Sequence, residues 1–127
     1  MAKVVGLGGI FFKSKDPDGL AAWYEKWLNM KLTFPNGATF TAQQVPENGY
    51  QVWSPFKAST DYFAPSDQTF MFNLMVDDLA EMLDQLKESG CEIMEETESS
   101  EYGDFGWFID PDGNKVELWQ PPKQPPA

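Results

Sequence analysis

Apolar residues recur at helical spacing in two stretches of the chain. The first stretch follows Asp16, a helix-capping residue, and Pro17, which suits the first helical position because no backbone N–H is needed there. The second follows Asp77 or Asp78 and stops at Gly90, a residue type that commonly ends helices. The apolar stripes are Leu20, Trp23, Trp27 and Leu28, then Leu79, Met82, Leu83 and Leu86. We therefore expect two amphipathic helices, each packed on a sheet.

Alternating polar and apolar residues near the C-terminus predict a β-hairpin. Its first strand ends at Ile109, residues 110–114 form a Pro- and Gly-containing turn, and residues 115–120 return as the second strand. Alternation directs Glu117 and Trp119 away from the apolar face that would pack against a helix. A single carboxylate beside a tryptophan on that opposite face is the chemical feature of this segment.

Further strands are predicted in both halves of the chain, and together they form a repeat. They lie at residues 4–13, 31–34, 38–44 and 50–54, then at residues 69–76 and 91–96, with 97–101 as a loop. The order strand, helix, three strands thus occurs twice. Residues 50–55 match residues 116–121, which places Gln51 where Glu117 lies in the second half.

The repeat predicts one α+β domain built from two βαβββ modules. The boundaries are module one at 4–56, a linker at 57–67, module two at 68–121, and a Pro-rich tail at 122–127. Paired curved mixed sheets would share one concave cleft, with the helices on the outside. The modules pair either within one chain or by exchange between two chains.

Charge and composition exclude several classes of function. The net charge of −11 would repel phosphates, so we expect no nucleic-acid partner. No apolar run approaches the roughly 20 residues of a membrane span, and no signal-peptide pattern begins the chain, so we expect a cytoplasmic protein without a membrane partner. The single cysteine, Cys91, gives no intrachain disulfide. The absence of histidine removes the commonest metal ligand and general base.

The repeat and its final hairpin resemble the vicinal oxygen chelate superfamily. The resemblance rests on the duplicated βαβββ pattern, the aspartate caps, and the 110–114 turn followed by Val-Glu-Leu at 116–118, and it covers residues 4–122. This superfamily includes glyoxalase I, extradiol dioxygenases, fosfomycin-resistance enzymes and bleomycin-resistance binding proteins. Because it hosts many chemistries on one scaffold, the resemblance implies a fold and a homodimer without choosing a reaction.

The resemblance also implies four positions from which metal-dependent members take their ligands. Carried over to this chain, they are Gly9, Gln51, Met71 and Glu117, and only Glu117 matches the histidine or glutamate that the family uses. Glycine offers no ligand, methionine is too soft for the ions concerned, and a glutamine amide is a weak donor. We therefore expect a degenerate metal site, with no metal and no cofactor.

Alternation directs aromatic and polar side chains into the predicted cleft around Glu117. The expected ligand contacts are Phe11, Gln51, Trp53, Met71, Asn73, Phe105, Trp107 and Trp119. A mostly apolar wall with a few polar groups is typical of small-molecule pockets, and aromatic faces beside a carboxylate suit a flat cation. The same side chains alternatively fill the cleft themselves or lie in a dimer interface.

Two functions follow from this set of residues. The first is metal-independent binding of a small aromatic or cationic molecule, a sequestration like that of the bleomycin-resistance branch, in which Glu117 pairs with the positive charge. The alternative is a lyase, isomerase or dioxygenase of the superfamily that uses Glu117 as general base. The alternative has no replacement for the metal of its relatives, and Lys13 is its one candidate electrophile. The sequence favours binding.

Overall fold

The computed structural model describes residues 1–124. Its elements are α1 (Pro17–Leu28), β1 (Phe72–Met75), α2 (Leu79–Ser89), β2 (Glu98–Ser100), β3 (Gly103–Ile109) and β4 (Lys115–Gln120). The four strands form one mixed sheet in the order β1-β4-β3-β2. β1 runs parallel to β4, and the other two pairs are antiparallel. The α+β class is therefore confirmed.

Both helices begin at the aspartates that the sequence indicates. Asp16 Oδ1 accepts a hydrogen bond from the Gly19 N–H at 3.1 Å, and Asp78 Oδ1 accepts one from the Glu81 N–H at 3.0 Å. Each bond satisfies an N–H of the first turn that has no partner within the helix. α2 ends at Gly90, whose φ of 81° lies in the left-handed region that glycine adopts without strain.

The hairpin between β3 and β4 forms as predicted, and a buried carboxylate fixes its turn. Asp110 is 4% exposed, and its Oδ1 accepts the N–H groups of Asp112 and Asn114 at 2.9 Å each. Gly113 takes the positive φ, 82°, that the reversal requires. The Tyr24 hydroxyl of α1 donates to Asp110 Oδ2 at 2.8 Å. Burial and the neighbouring Asp110 raise the pKa of Tyr24, so its phenol remains a donor.

The core lies between the two helices and one face of the sheet. Its buried side chains are Leu20, Tyr24 and Leu28 from α1, Leu79, Met82 and Leu86 from α2, and Phe108, Val116 and Leu118 from the sheet. Trp23 of α1 stacks on Phe108 with ring centroids 5.9 Å apart. α1 therefore packs on the same sheet as α2, although the repeat predicts a sheet of its own for each helix.

The first half of the chain differs most from the prediction. The sequence predicts four strands there, at residues 4–13, 31–34, 38–44 and 50–54. Among residues 1–124, this half contributes no strand to the sheet, and its β-bridge joins Phe34 and Gly37. An alternating segment becomes a strand only where a neighbour takes up its backbone hydrogen bonds and a second layer covers its apolar face. Here α1 packs on the second-half sheet, and Phe11 and Trp53 stay 92% and 80% exposed.

After α2, the sequence predicts a strand at residues 91–96 and a loop at residues 97–101, and the structure has the reverse order. Residues 91–96 form only an isolated bridge, from Ile93 to Phe108, whereas β2 lies inside the predicted loop. β2 is exposed and polar, and it is a strand because its backbone pairs with β3. Side-chain periodicity carries no signal for such a strand. β1 is also shorter than the predicted strand at residues 69–76.

Several predictions about organisation are not tested by this sheet. The pairing of two modules around one cleft, the module boundaries and the cytoplasmic location remain predictions. The Pro-rich tail predicted at 122–127 extends beyond the described part of the chain, since residues 125–127 lie outside it. Neither helix described here is long and apolar enough to cross a membrane.

Candidate functional site

The sheet face opposite the helices carries the polar and aromatic residues that the sequence singles out. In the strand register, Glu117 of β4 lies between Asn73 of β1 and Trp107 of β3. Two residues along β4, Trp119 lies opposite Phe105 of β3. Side chains two residues apart on a strand share a face, so all five side chains lie on one side of the sheet. We call this set the Glu117 face.

Glu117 accepts three hydrogen bonds, all from uncharged donors. The Asn73 amide donates to Oε1 at 2.7 Å, and the Trp107 indole N–H donates to Oε2 at 2.9 Å. The Tyr62 hydroxyl donates to Oε2 at 2.6 Å. The side chains of Asn, Trp and Tyr bring no positive charge, so these bonds orient the carboxylate without neutralising it.

Tyr62 is the site residue that the sequence analysis missed. It lies in the predicted linker, and its ring meets Trp107 edge-on, with centroids 6.3 Å apart and planes at 89°. The same ring stacks on Phe56 at 5.7 Å. Burial and the hydrogen bond to Glu117 raise the pKa of Tyr62, so the phenol keeps its proton and remains a donor. The available signal was the group of aromatic residues at 56, 62 and 63 in a segment without periodicity.

Lys115 brings a cation to the aromatic rings of this face. It begins β4, and its Nζ donates to the Tyr62 backbone carbonyl at 2.7 Å. The same nitrogen lies 5.2 Å from the centroid of the Tyr62 ring and 5.8 Å from that of Trp107. Both distances fall within the range of cation–π attraction.

Trp119 and Phe105 form a second aromatic pair on the Glu117 face. Their centroids are 6.2 Å apart, and their planes are within 9° of parallel. Tyr50 meets Trp119 at 4.9 Å, from the side of the first half of the chain. Trp107 and Trp119 are only 6% and 4% exposed. Tyr62 and Tyr50 thus cover the two tryptophans, and the Glu117 face is closed, whereas the sequence predicts an open cleft.

The remaining predicted contacts are not brought to Glu117, because three of them belong to the half without strands. Phe11 and Trp53 are exposed, and the Gln51 side-chain oxygen accepts the Leu7 N–H at 2.7 Å. Met71 is half-buried and precedes the first residue of β1. None of the three hydrogen bonds to Glu117 comes from these residues.

The donor set on this face does not fit a divalent metal ion. Of the four positions implied by the resemblance, Gly9 and Met71 offer no suitable ligand, and Gln51 engages the Leu7 N–H. Both oxygens of Glu117 accept hydrogen bonds from neighbouring side chains. Within residues 1–124, no three His, Cys, Asp or Glu side chains are grouped so that they could hold an ion. A stable divalent site needs several such ligands around one point.

Comparison with known proteins adds the family. A family model described as the Glyoxalase/Bleomycin resistance protein/Dioxygenase superfamily matches residues 6–118. A search of curated proteins gives no match. A solved structure described as a conserved domain protein is 16% identical, with a TM-score of 0.51, and the alignment covers 84% of this chain and 90% of that chain. This likeness concerns the fold alone.

Two further solved structures are similar at lower TM-score. One, from the mobile metagenome of V. pseudocholerae, is 24% identical with a TM-score of 0.44, over 80% of this chain and 82% of that one. The other, an integron cassette protein from the mobile metagenome of V. cholerae, is 23% identical with a TM-score of 0.44, over 80% and 83%.

Proposed function

The chain belongs to the glyoxalase/bleomycin resistance protein/dioxygenase superfamily, and we propose that it binds a small aromatic or cationic molecule on the Glu117 face without a metal. The observation that carries the proposal is a half-buried carboxylate held by three uncharged donors among aromatic rings. Binding of this kind sequesters the ligand and makes no covalent bond, like the bleomycin-resistance branch that the sequence resembles.

The charge of Glu117 favours a cationic group on the ligand. Within the described residues, the one side-chain ion pair joins Lys87 to Asp84 on α2, so Glu117 has no cation within ion-pair distance. Lys115, the cation of this face, donates instead to the Tyr62 carbonyl. A carboxylate that is partly withdrawn from water attracts a cation more strongly than one on an open surface. The net charge of −11 adds a long-range attraction for the same sign of ligand.

The aromatic rings supply the apolar part of the proposed site. Lys115 places its ammonium group near the rings of Tyr62 and Trp107, so these rings tolerate a cation in the geometry that they already have. Phe105, which is half-buried beside the covered Trp119, presents a flat ring for a planar group.

The test compares two planar probes of similar size by isothermal titration calorimetry. N-methylquinolinium is a cation and quinoline is uncharged at neutral pH, and we expect the cation to bind roughly tenfold more tightly because it pairs with Glu117. Glu117→Gln should abolish this preference, since the amide keeps the size of the side chain and loses its charge. Glu88→Gln, an exposed change on α2, is the control and should retain the preference. If neither probe binds the wild-type protein or a variant that lacks the Tyr62 side chain, which packs on Trp107, the proposal is wrong.

The alternative function, a superfamily lyase, isomerase or dioxygenase with Glu117 as general base, has no comparable support. Glu117 directs both oxygens at neighbouring side chains of the protein. Lys13, the candidate electrophile, lies exposed on the N-terminal segment. We therefore propose binding rather than a reaction.

We also propose that the first half completes a second sheet in a homodimer. Among residues 1–124, β1 pairs only with β4, so its other edge has backbone groups free for another strand. The segment at residues 4–13 is exposed and patterned as a strand, and its Phe12 ring already lies 4.7 Å from Phe72 of β1. Light scattering should give the mass of a dimer, and hydrogen exchange should be slow in residues 4–13. A monomer with fast exchange there would contradict the proposal.

A further inference from the structure

Tyr62 makes three different contacts with the Glu117 face, one from each part of the residue. Its hydroxyl donates to Glu117 Oε2 at 2.6 Å. Its ring packs edge-on against Trp107 at 6.3 Å, and its backbone carbonyl accepts the Lys115 Nζ at 2.7 Å. A single residue therefore satisfies the carboxylate, the aromatic surface and the cation of the site together.

We infer that Tyr62 occupies the place of the ligand, and that the ligand is a 4-hydroxyphenyl compound with a carbonyl group on its side chain. The hydroxyl of such a compound would donate to Glu117, its ring would lie on Trp107, and its carbonyl would accept the Lys115 ammonium. The inference rests on the proposed function, because it takes the Glu117 face as the place where a small molecule binds. It narrows the ligand to the aromatic, uncharged branch of the proposed function, in which a phenol hydroxyl takes the place of a cationic group at Glu117.

The segment that carries Tyr62 is attached so that the residue can leave. Residues 56–66 contain no helix or strand, and their backbone hydrogen bonds are local, as from the Thr60 N–H to the Lys57 carbonyl at 3.0 Å. Among the described hydrogen bonds, both that join this segment to the sheet are made by Tyr62 itself. Tyr62 is also 36% exposed, unlike the buried Trp107 below it. A ligand that replaced those two hydrogen bonds would release the segment without breaking others.

The hydroxyl is the group that should distinguish this ligand class from other aromatics. A phenol bound to a carboxylate makes a charge-assisted hydrogen bond, which is stronger than one between neutral groups. A phenyl ring without the hydroxyl would leave Glu117 Oε2 with one donor fewer at a half-buried position. Discrimination between the two rings should therefore be at least about tenfold.

The experiment uses N-acetyl-tyrosinamide, which carries the phenol, ring and carbonyl groups of Tyr62, with N-acetyl-phenylalaninamide as the matched probe. By titration calorimetry, the tyrosine probe should bind Tyr62→Ala at least about tenfold more tightly than wild type. The reason is that Tyr62, as an internal competitor, lowers the apparent affinity of the wild-type protein. The phenylalanine probe should bind Tyr62→Ala at least about tenfold more weakly than the tyrosine probe does. Tyr62→Phe keeps the packed ring and loses the hydroxyl, so its gain in affinity should be smaller than that of Tyr62→Ala. This variant provides the test if the alanine variant does not fold. Tyr102→Ala removes an exposed tyrosine and should behave as wild type.

The outcomes separate this inference from the proposed function. Equal affinity of the tyrosine probe for wild type, Tyr62→Ala and Tyr62→Phe would overturn the inference, and so would equal binding of the two probes to Tyr62→Ala. If N-methylquinolinium still binds the wild-type protein through Glu117 in that case, the proposed function stands and the ligand class is wrong. If no probe binds any of these proteins, the proposed function fails and the inference fails with it.

Discussion

Trp119 and Trp53 occupy matching positions in the two halves of the chain, and their surroundings differ completely. Trp119 is 4% exposed and Trp53 is 80% exposed. The preceding apolar residues differ in the same way, since Leu118 is fully buried and Val52 is 64% exposed. The local sequence patterns are alike, so the difference arises from the neighbours that each segment finds. A strand pattern specifies which side chains can share a face, and only pairing with other strands determines whether that face is covered.

The site shows the same contrast between the two halves. Glu117 has a strand on each side, and these strands supply Asn73 and Trp107 as hydrogen-bond donors. Gln51, at the matching position, accepts one hydrogen bond from the backbone of Leu7. A carboxylate at this position in the sheet is therefore oriented from both sides, which is the arrangement that a specific binding site requires.

The largest expected effect comes from removing the two matched tryptophans one at a time. Trp119→Ala should lower the free energy of unfolding by about 3–5 kcal/mol, because it removes a large buried ring. In a dilute, monomeric sample, where the first half stays exposed, Trp53→Ala should change it by less than about 0.5 kcal/mol. Urea denaturation of both variants measures the difference. A loss of similar size for Trp53→Ala would mean that a second copy covers the first half in solution.

The parts of the fold that the sequence predicts correctly are those specified by local signals. Asp16 and Asp78 cap helices through N–H groups three residues away, and the final turn is closed within residues 110–114. Alternation along β4 then predicts the face that carries Glu117. Each of these features depends on residues close in sequence, so the pattern along the chain contains them.

The parts that the sequence does not predict depend on long-range pairing. Tyr62 reaches Glu117 across 55 residues, from a segment whose composition only indicates a linker. β2 is defined by its pairing with β3, and its exposed polar side chains carry no strand signal. The strands predicted in the first half rest on alternating side chains, and the single chain supplies no second layer to cover their apolar face.

The hairpin turn gives the next largest effect, and it sharpens the contrast between the halves. Asp110 accepts four hydrogen bonds through its side chain, from Tyr24, Asp112 and both nitrogens of Asn114. Asp110→Ala should lower the free energy of unfolding by about 3 kcal/mol or more, because it leaves buried donors without partners. Glu47→Ala, in the exposed turn of the first half, should have an effect below about 0.5 kcal/mol. Equal losses of unfolding free energy in the two variants would mean that the buried Asp110 turn contributes no more to stability than the exposed turn of the first half.

The smallest expected effect is a pH dependence that arises where α1 packs on the hairpin turn. The pKa of Tyr24 is raised above the ordinary tyrosine value of 10.0, first by burial and then by Asp110. Above pH 10 the unfolded chain therefore releases a proton that the folded chain retains, and stability must fall as pH rises, by at most about 1.4 kcal/mol per pH unit for this group. Below pH 10 its contribution is fully present. Urea denaturation between about pH 9 and pH 11 should show the decline, and Tyr24→Phe should make it shallower, whereas Tyr102→Phe on the exposed surface should not. An unchanged slope in Tyr24→Phe would mean that the bond between α1 and the hairpin is not kept in solution.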